Sequence, residues 1–162
     1  SGQSNKAKAK YEKGVVQNKA GILVDASILF TEAIAEYPQY SEAYYQRALS
    51  FNGMGQKAKA IEDLEKSIDL KSKNIQAYLL LIRWYKSDGA YEQALEVAEK
   101  IIKQLPDNTA GAYYDQGLIY DKTKEPLKAQ AAYKSALAHL DPEMKDFKRL
   151  LEKRIKDIEK EL

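Results

Sequence analysis

Small apolar residues return at a fixed step along this chain. Ala26, Ala60 and Ala94 are 34 residues apart, and Ala129 follows 35 later. Other columns keep the same step: Gly14, Ala48, Ile82, Gly117; Phe30, Leu64, Ala98, Tyr133; Tyr44, Tyr78, Tyr113; Phe51, Tyr85, Tyr120; and Ala33, Ser67, Ile101, Ala136. One extra residue near Thr109 accounts for every step of 35. Self-similarity at this period marks an array of helical hairpins, each too small to bury its apolar side without a neighbour. The spacing predicts first helices over 7–20, 41–54, 75–88 and 110–123, and second helices over 23–36, 57–70, 91–104 and 126–139. Gly21, Gly55 and Gly89 stand where each first helix must stop, as a glycine with positive φ would. Lys124 stands there in the fourth unit, with Pro126 placed to start the next helix. Ser41 is placed to N-cap the second unit.

Within a unit the pattern is an aromatic, a small residue four later and an aromatic three after that. An alanine, a bulky residue, another small residue and a terminal proline follow. The second unit reads Tyr44, Ala48, Phe51, Ala60, Leu64, Ser67, Ser72; the fourth reads Tyr113, Gly117, Tyr120, Ala129, Tyr133, Ala136, Pro142. In these columns the chain resembles the tetratricopeptide repeat (TPR) family over residues 7 to 142. The resemblance implies an all-α fold: an α-solenoid of four helix-turn-helix units (7–40, 41–74, 75–109, 110–142) forming part of a right-handed superhelix. A polar tail over 1–6 precedes them. A C-terminal capping or solvating helix over 143–162 follows, with Asp141 as its N-cap and Pro142 in its first turn. Met144, Phe147, Leu151, Ile155, Ile158 and Leu162 form its apolar stripe, which covers the last unit or, alternatively, serves as a coiled-coil seam.

Two departures from the pattern carry information. Lys10 and Gln17 replace the aromatics of the first unit, which suits an end unit without a neighbour. The third unit puts Ile82 in the small column and Ala98 in the bulky one, a volume exchange that keeps packing density normal.

Each first helix shows a second stripe one residue on from the aromatic one, about 100° further round. The TPR resemblance places this stripe on the concave surface. It contains Tyr11, Val15 and Asn18; Tyr45, Leu49 and Asn52; Leu79, Arg83 and Lys86; and Tyr114, Leu118 and Asp121. Repeated aromatic and aliphatic side chains on an inner wall suit a partner's peptide or helix. Arg83 and Lys86 are the paired cations of this surface and fit a ligand carboxylate. The positions matching the carboxylate clamp of chaperone-binding TPR proteins carry Tyr11, Val15, Gln46, Gln76 and Leu80, which do not make that clamp.

Charge and composition narrow the classes. A net charge of +2 argues against a nucleic-acid partner held by phosphate neutralisation. No apolar run approaches a membrane span. The single histidine, His139, has no companion metal ligands, cysteine is absent, and no phosphate-cradling glycine loop occurs. The expectation is therefore a non-catalytic adaptor with no cofactor and no metal, binding a protein or peptide ligand. Self-association into a homo-oligomeric scaffold, through the C-terminal helix or the groove, is the alternative. The chain opens on Ser1 without a signal peptide, which leaves the compartment open: soluble, in the cytoplasm or exported with an upstream signal removed.

Overall fold

The computed structural model describes residues 4–71 and 73–162. Ser72 and the first three residues of the expected tail lie outside the described residues. Among the described residues the regular structure is all helical. The order is α1 (Asn5–Lys19), α2 (Leu23–Glu36), α3 (Ser41–Gly53), α4 (Lys57–Leu70), α5 (Ile75–Ser87), α6 (Tyr91–Gln104), α7 (Thr109–Lys122), α8 (Pro126–Ala138) and α9 (Lys145–Glu161). A 3-10 turn at Pro106–Asn108 precedes α7 and takes up the extra residue of the fourth repeat. Gly21, Gly55 and Gly89 close their helices at φ 78°, 76° and 71°, and Lys124 takes the same left-handed conformation at φ 58°. The chain divides into two compact units between Ala77 and Tyr78.

In the first unit α1 begins at Asn5, two residues earlier than expected. The Ser4 hydroxyl accepts from the Ala7 amide at 3.0 Å and caps the helix, so the expected tail is partly helical. Gly14 lies against Phe30: a Cβ on Gly14 would stand 2.6 Å from the ring. Phe30 is fully buried as a result. The equivalent pair one repeat on is Ala48 with Leu64, both also fully buried. Small on one helix therefore goes with large on the other.

Ser41 does not cap α3. It is the first helical residue, and Tyr40 stands at the cap without a side-chain bond. The Ser41 hydroxyl is buried instead, donating to the Ser67 carbonyl at 2.9 Å, because α4 approaches closely enough to offer a better acceptor. The Arg47 guanidinium donates twice to Asp63, at 2.7 and 2.8 Å, and once to Thr31, at 3.1 Å, tying α3 to α4 and α2.

In the second unit the small–large order is reversed on α5 and α6. Ile82 and Ala98 are both buried, as the volume exchange requires. The Tyr78 hydroxyl donates to Gln104 at 2.8 Å across the same pair. Gly117 returns to the first arrangement, its missing Cβ leaving room for the Tyr133 ring. Trp84 is buried.

The C-terminal helix starts at Lys145, not at Pro142. The Asp141 carboxylate accepts from the Glu143 amide at 3.0 Å, closing a local turn that holds Pro142 outside the helix. Leu151, Ile155 and Ile158 join Ala129, Tyr133 and Ala136 in one core, with Phe147 packed against it. Met144 and Leu162, expected in the buried stripe, are exposed.

A polar clip reinforces this core. Asp121 on α7 accepts from Arg154 Nε and Nη2 on α9, at 3.1 and 2.8 Å, and from the Tyr133 hydroxyl on α8. Burial pushes the Asp121 carboxyl up, but the hydrogen bonds from Arg154 and Tyr133 outweigh it and hold it below the ordinary carboxylate range. Asp121→Ala is expected to cost the second unit about 2 kcal/mol, since it strands a partly buried guanidinium. The depressed pKa fixes the sign of the pH dependence. The contribution is complete above the unfolded carboxyl's pKa, about 3.9, and is lost as pH falls through the lower folded value. Urea midpoints of wild type and variant should therefore differ at pH 7 and converge as the pH falls through the lowered Asp121 titration.

Candidate interaction face

The two stripes of the first helices make different contacts. In α7 the aromatic column faces its own hairpin. Tyr113 stacks on His139 just past α8, with ring centroids 5.4 Å apart, and Lys128 of α8 lies 5.7 Å over the Tyr120 ring. In α3, Tyr44 and Phe51 flank Arg47 at 5.5 Å each, and Arg47 reaches Asp63 of the same hairpin. In α3 and α7 the aromatic stripe thus packs within its own hairpin.

Part of the next stripe makes the contacts from one repeat to the following helix. Tyr11 packs on Tyr40 at the start of α3, 5.0 Å between centroids. Asn18 donates to the Gln46 carbonyl at 3.0 Å and accepts from the Ser50 hydroxyl at 2.6 Å. Tyr114 meets Phe147 of α9 edge-on at 5.0 Å, and Asp121 holds Arg154. Tyr11, Asn18, Tyr114 and Asp121 are therefore tied to neighbouring helices. A turn of about 100° per residue separates the two stripes, so a shift of one position decides which side faces the next helix.

The remaining members stay accessible in part. Val15, Tyr45, Leu49 and Leu118 are half-buried, as is Lys86, while Asn52, Leu79 and Arg83 are exposed. In the second unit a cleft of about 450 Å³ is lined by Leu79, Ile82, Arg83, Lys86, Ser87 and Asp115. Leu79 and Ile82 give it an apolar wall, and Arg83 and Lys86 supply cationic donors. Burial raises the Asp115 carboxyl, against the opposing charge of Lys86. The Ser87 hydroxyl is turned back onto the Trp84 carbonyl at 2.8 Å. Asp115, the residue after Tyr114 on α7, shares the cleft with Arg83 and Lys86 of α5.

One further sequence candidate, His139, has a local role. His139 Nδ1 lies 2.9 Å from the Ser135 carbonyl, where it must be the donor, and its ring rests on Tyr113. Among the described residues no three His, Asp or Glu side chains gather as a metal site, and no helix is long and apolar enough to cross a membrane.

A family model described as "Tetratricopeptide repeat" matches residues 41–74 and 110–138. DnaJ homolog subfamily C member 3 of Homo sapiens is 31% identical over 129 residues, covering 75% of this chain and 26% of that protein. The chain thus spans about a quarter of the length of these curated relatives. A tetratricopeptide repeat protein from Parabacteroides merdae superposes with a TM-score of 0.77 at 18% identity, over 98% of this chain and 62% of that one. YrrB, described as a TPR protein with an unusual peptide-binding site, gives a TM-score of 0.66 at 19% identity, over 91% of this chain and 74% of its own. At such identities the solved structures establish the all-α TPR fold alone.

Proposed function

The chain belongs to the tetratricopeptide repeat family, and from that premise we propose that it is a non-catalytic adaptor holding a peptide or helix of a partner protein against the faces of its first helices. Tetratricopeptide repeats are protein-interaction modules, and the peptide-binding site described for YrrB lies on a similar fold. The observation that carries the reading is the cleft of Leu79, Ile82, Arg83, Lys86 and Asp115. An apolar wall takes an aliphatic side chain of the ligand. Arg83 and Lys86 take a carboxylate beside it, through charge-assisted hydrogen bonds. In the first unit Val15, Tyr45, Leu49 and Asn52 offer the corresponding mixed surface. Self-association through α9 is the less favoured reading, because Leu151, Ile155 and Ile158 are already buried against α8.

Peptides selected from a random library against the intact chain test this. Tyr45→Ala with Leu49→Ala, and separately Arg83→Glu, should each weaken the selected peptide at least about tenfold. Arg83 is exposed, so its variant should leave helicity and melting unchanged. Unaltered affinity in both variants contradicts the reading. Light scattering should show a monomer at all concentrations; a concentration-dependent dimer favours the scaffold instead.

A further inference from the structure

In the first unit three polar side chains close the junction between successive first helices. Asn18 of α1 donates to the Gln46 carbonyl at 3.0 Å and to the Gln46 side-chain oxygen at 3.3 Å. It also accepts from the Ser50 hydroxyl of α3 at 2.6 Å. Two repeats on, the same columns hold Lys86 on α5, and Asp115 and Ile119 on α7. Ile119 brings no hydroxyl and is fully buried. Lys86 attracts Asp115 but does not reach it: among the described residues Asp115 accepts no hydrogen bond, and neither it nor Arg83 nor Lys86 joins an ion pair. The second junction therefore stays open, as the cleft of about 450 Å³. Asp115 is half-buried in it. No buried side-chain polar atom of the described residues lacks a partner, so the unbonded oxygens of Asp115 must be open to the cleft they line. Burial pushes this carboxyl up, as expected of a charge short of donors.

Resting on the adaptor reading, we propose that Asp115 selects an arginine of the peptide ligand. The guanidinium docks on the two free oxygens, and the arginine stem lies along Leu79 and Ile82. An acidic residue close by in the peptide takes Arg83 and Lys86. A ligand with carboxylates alone would cover Asp115 and leave a desolvated charge without a donor. A guanidinium presents two parallel N–H groups to two oxygens and gives up its water more readily than an ammonium. Its methylenes suit the apolar wall. Arg83 and Lys86 stand three residues apart on one side of α5, which leaves both for the neighbouring carboxylate. Charge then meets its opposite at each point of the cleft.

Random peptides displayed between fixed flanks, selected in parallel against the intact chain, Asp115→Asn and Arg83→Glu, test this. Wild-type ligands should carry an arginine close to an aspartate or glutamate. Asp115→Asn should keep the acid and lose the arginine, whereas Arg83→Glu should keep the arginine and lose the acid. A selected wild-type peptide is then synthesised, labelled and followed by fluorescence anisotropy. Replacing its arginine with citrulline, a neutral analogue of the same shape, should weaken binding to the wild type at least about tenfold and to Asp115→Asn hardly at all. Asp115→Asn removes no hydrogen bond, so its melting temperature should not fall. Selected peptides that hold the acid without an arginine overturn the proposal and leave the adaptor reading standing; Lys86 would then swing onto Asp115 when a ligand binds. An equal loss from citrulline in wild type and Asp115→Asn also overturns it, since the arginine would dock elsewhere. Failure to select any peptide removes both.

Discussion

Gly14→Ile is expected to destabilise the first unit by about 3 kcal/mol, and Phe30→Ala by about 4 kcal/mol. Together they should cost about 2–3 kcal/mol less than the sum. The reason lies in the columns. A Cβ on Gly14 would already stand 2.6 Å from the Phe30 ring, so an isoleucine drives the ring out of a fully buried site. Removing Phe30 alone leaves a ring-sized void between α1 and α2. The double variant places isoleucine on the first helix and alanine on the second, the pairing of Ile82 with Ala98 that the third repeat uses and buries completely or nearly so. Urea unfolding of the four proteins closes the cycle. Strict additivity would show that the two positions do not share one volume, and the small–large exchange would fail as an account of the hairpin core.

Arg47→Ala should cost about 3 kcal/mol, more than any lysine-to-alanine change on the surface. Arg47 and Asp63 side chains are only 18% and 8% exposed. Truncating the arginine leaves a buried carboxylate that had accepted two short hydrogen bonds. It also removes the cation between the Tyr44 and Phe51 rings. Replacing both partners with apolar residues of similar shape, Arg47→Met with Asp63→Leu, should recover most of the loss, because no charge is then stranded. The Lys71–Glu42 pair provides the contrast: its side chains are 60% and 47% exposed. Lys71→Ala should cost no more than about 0.5 kcal/mol. Chemical denaturation at low and high salt measures both, and salt should matter little for the buried pair.

The helix positions were legible because the period is long, repeated and punctuated. Each column states the same packing requirement again, and the glycines after α1, α3 and α5 mark stops that need a positive φ. Helix starts were less legible, since a cap is decided by which hydrogen bond wins locally. Ser41 found the Ser67 carbonyl on another helix, and Asp141 found the amide of Glu143 two residues on. Nothing in either residue's own sequence neighbourhood announces these partners.

The candidate face was legible as a set of helix positions and not as a set of free side chains. Tyr45 and Leu49 share their stripe with Asn18 and Asp121, yet the latter two are held by Ser50 and Arg154. The difference depends on what the following helix presents. Arg154 is 33 residues away from Asp121, and no spacing rule links an exposed-looking arginine in a charged tail to a particular acid. The neighbourhood of Asp115 with Lys86 is likewise a property of the fold, since α5 and α7 both line the cleft.

If the first-helix faces hold ligands, a library-selected peptide titrated into the whole labelled chain should move the amide chemical shifts of those faces. Shifts should gather on Leu79, Arg83, Lys86, Asp115 and Leu118 when the cleft of the second unit is occupied, and a peptide held by the first unit should shift Tyr45, Leu49 and Asn52. Shifts confined to the outer sides of the second helices, around Glu62 and Glu96, would contradict that placement.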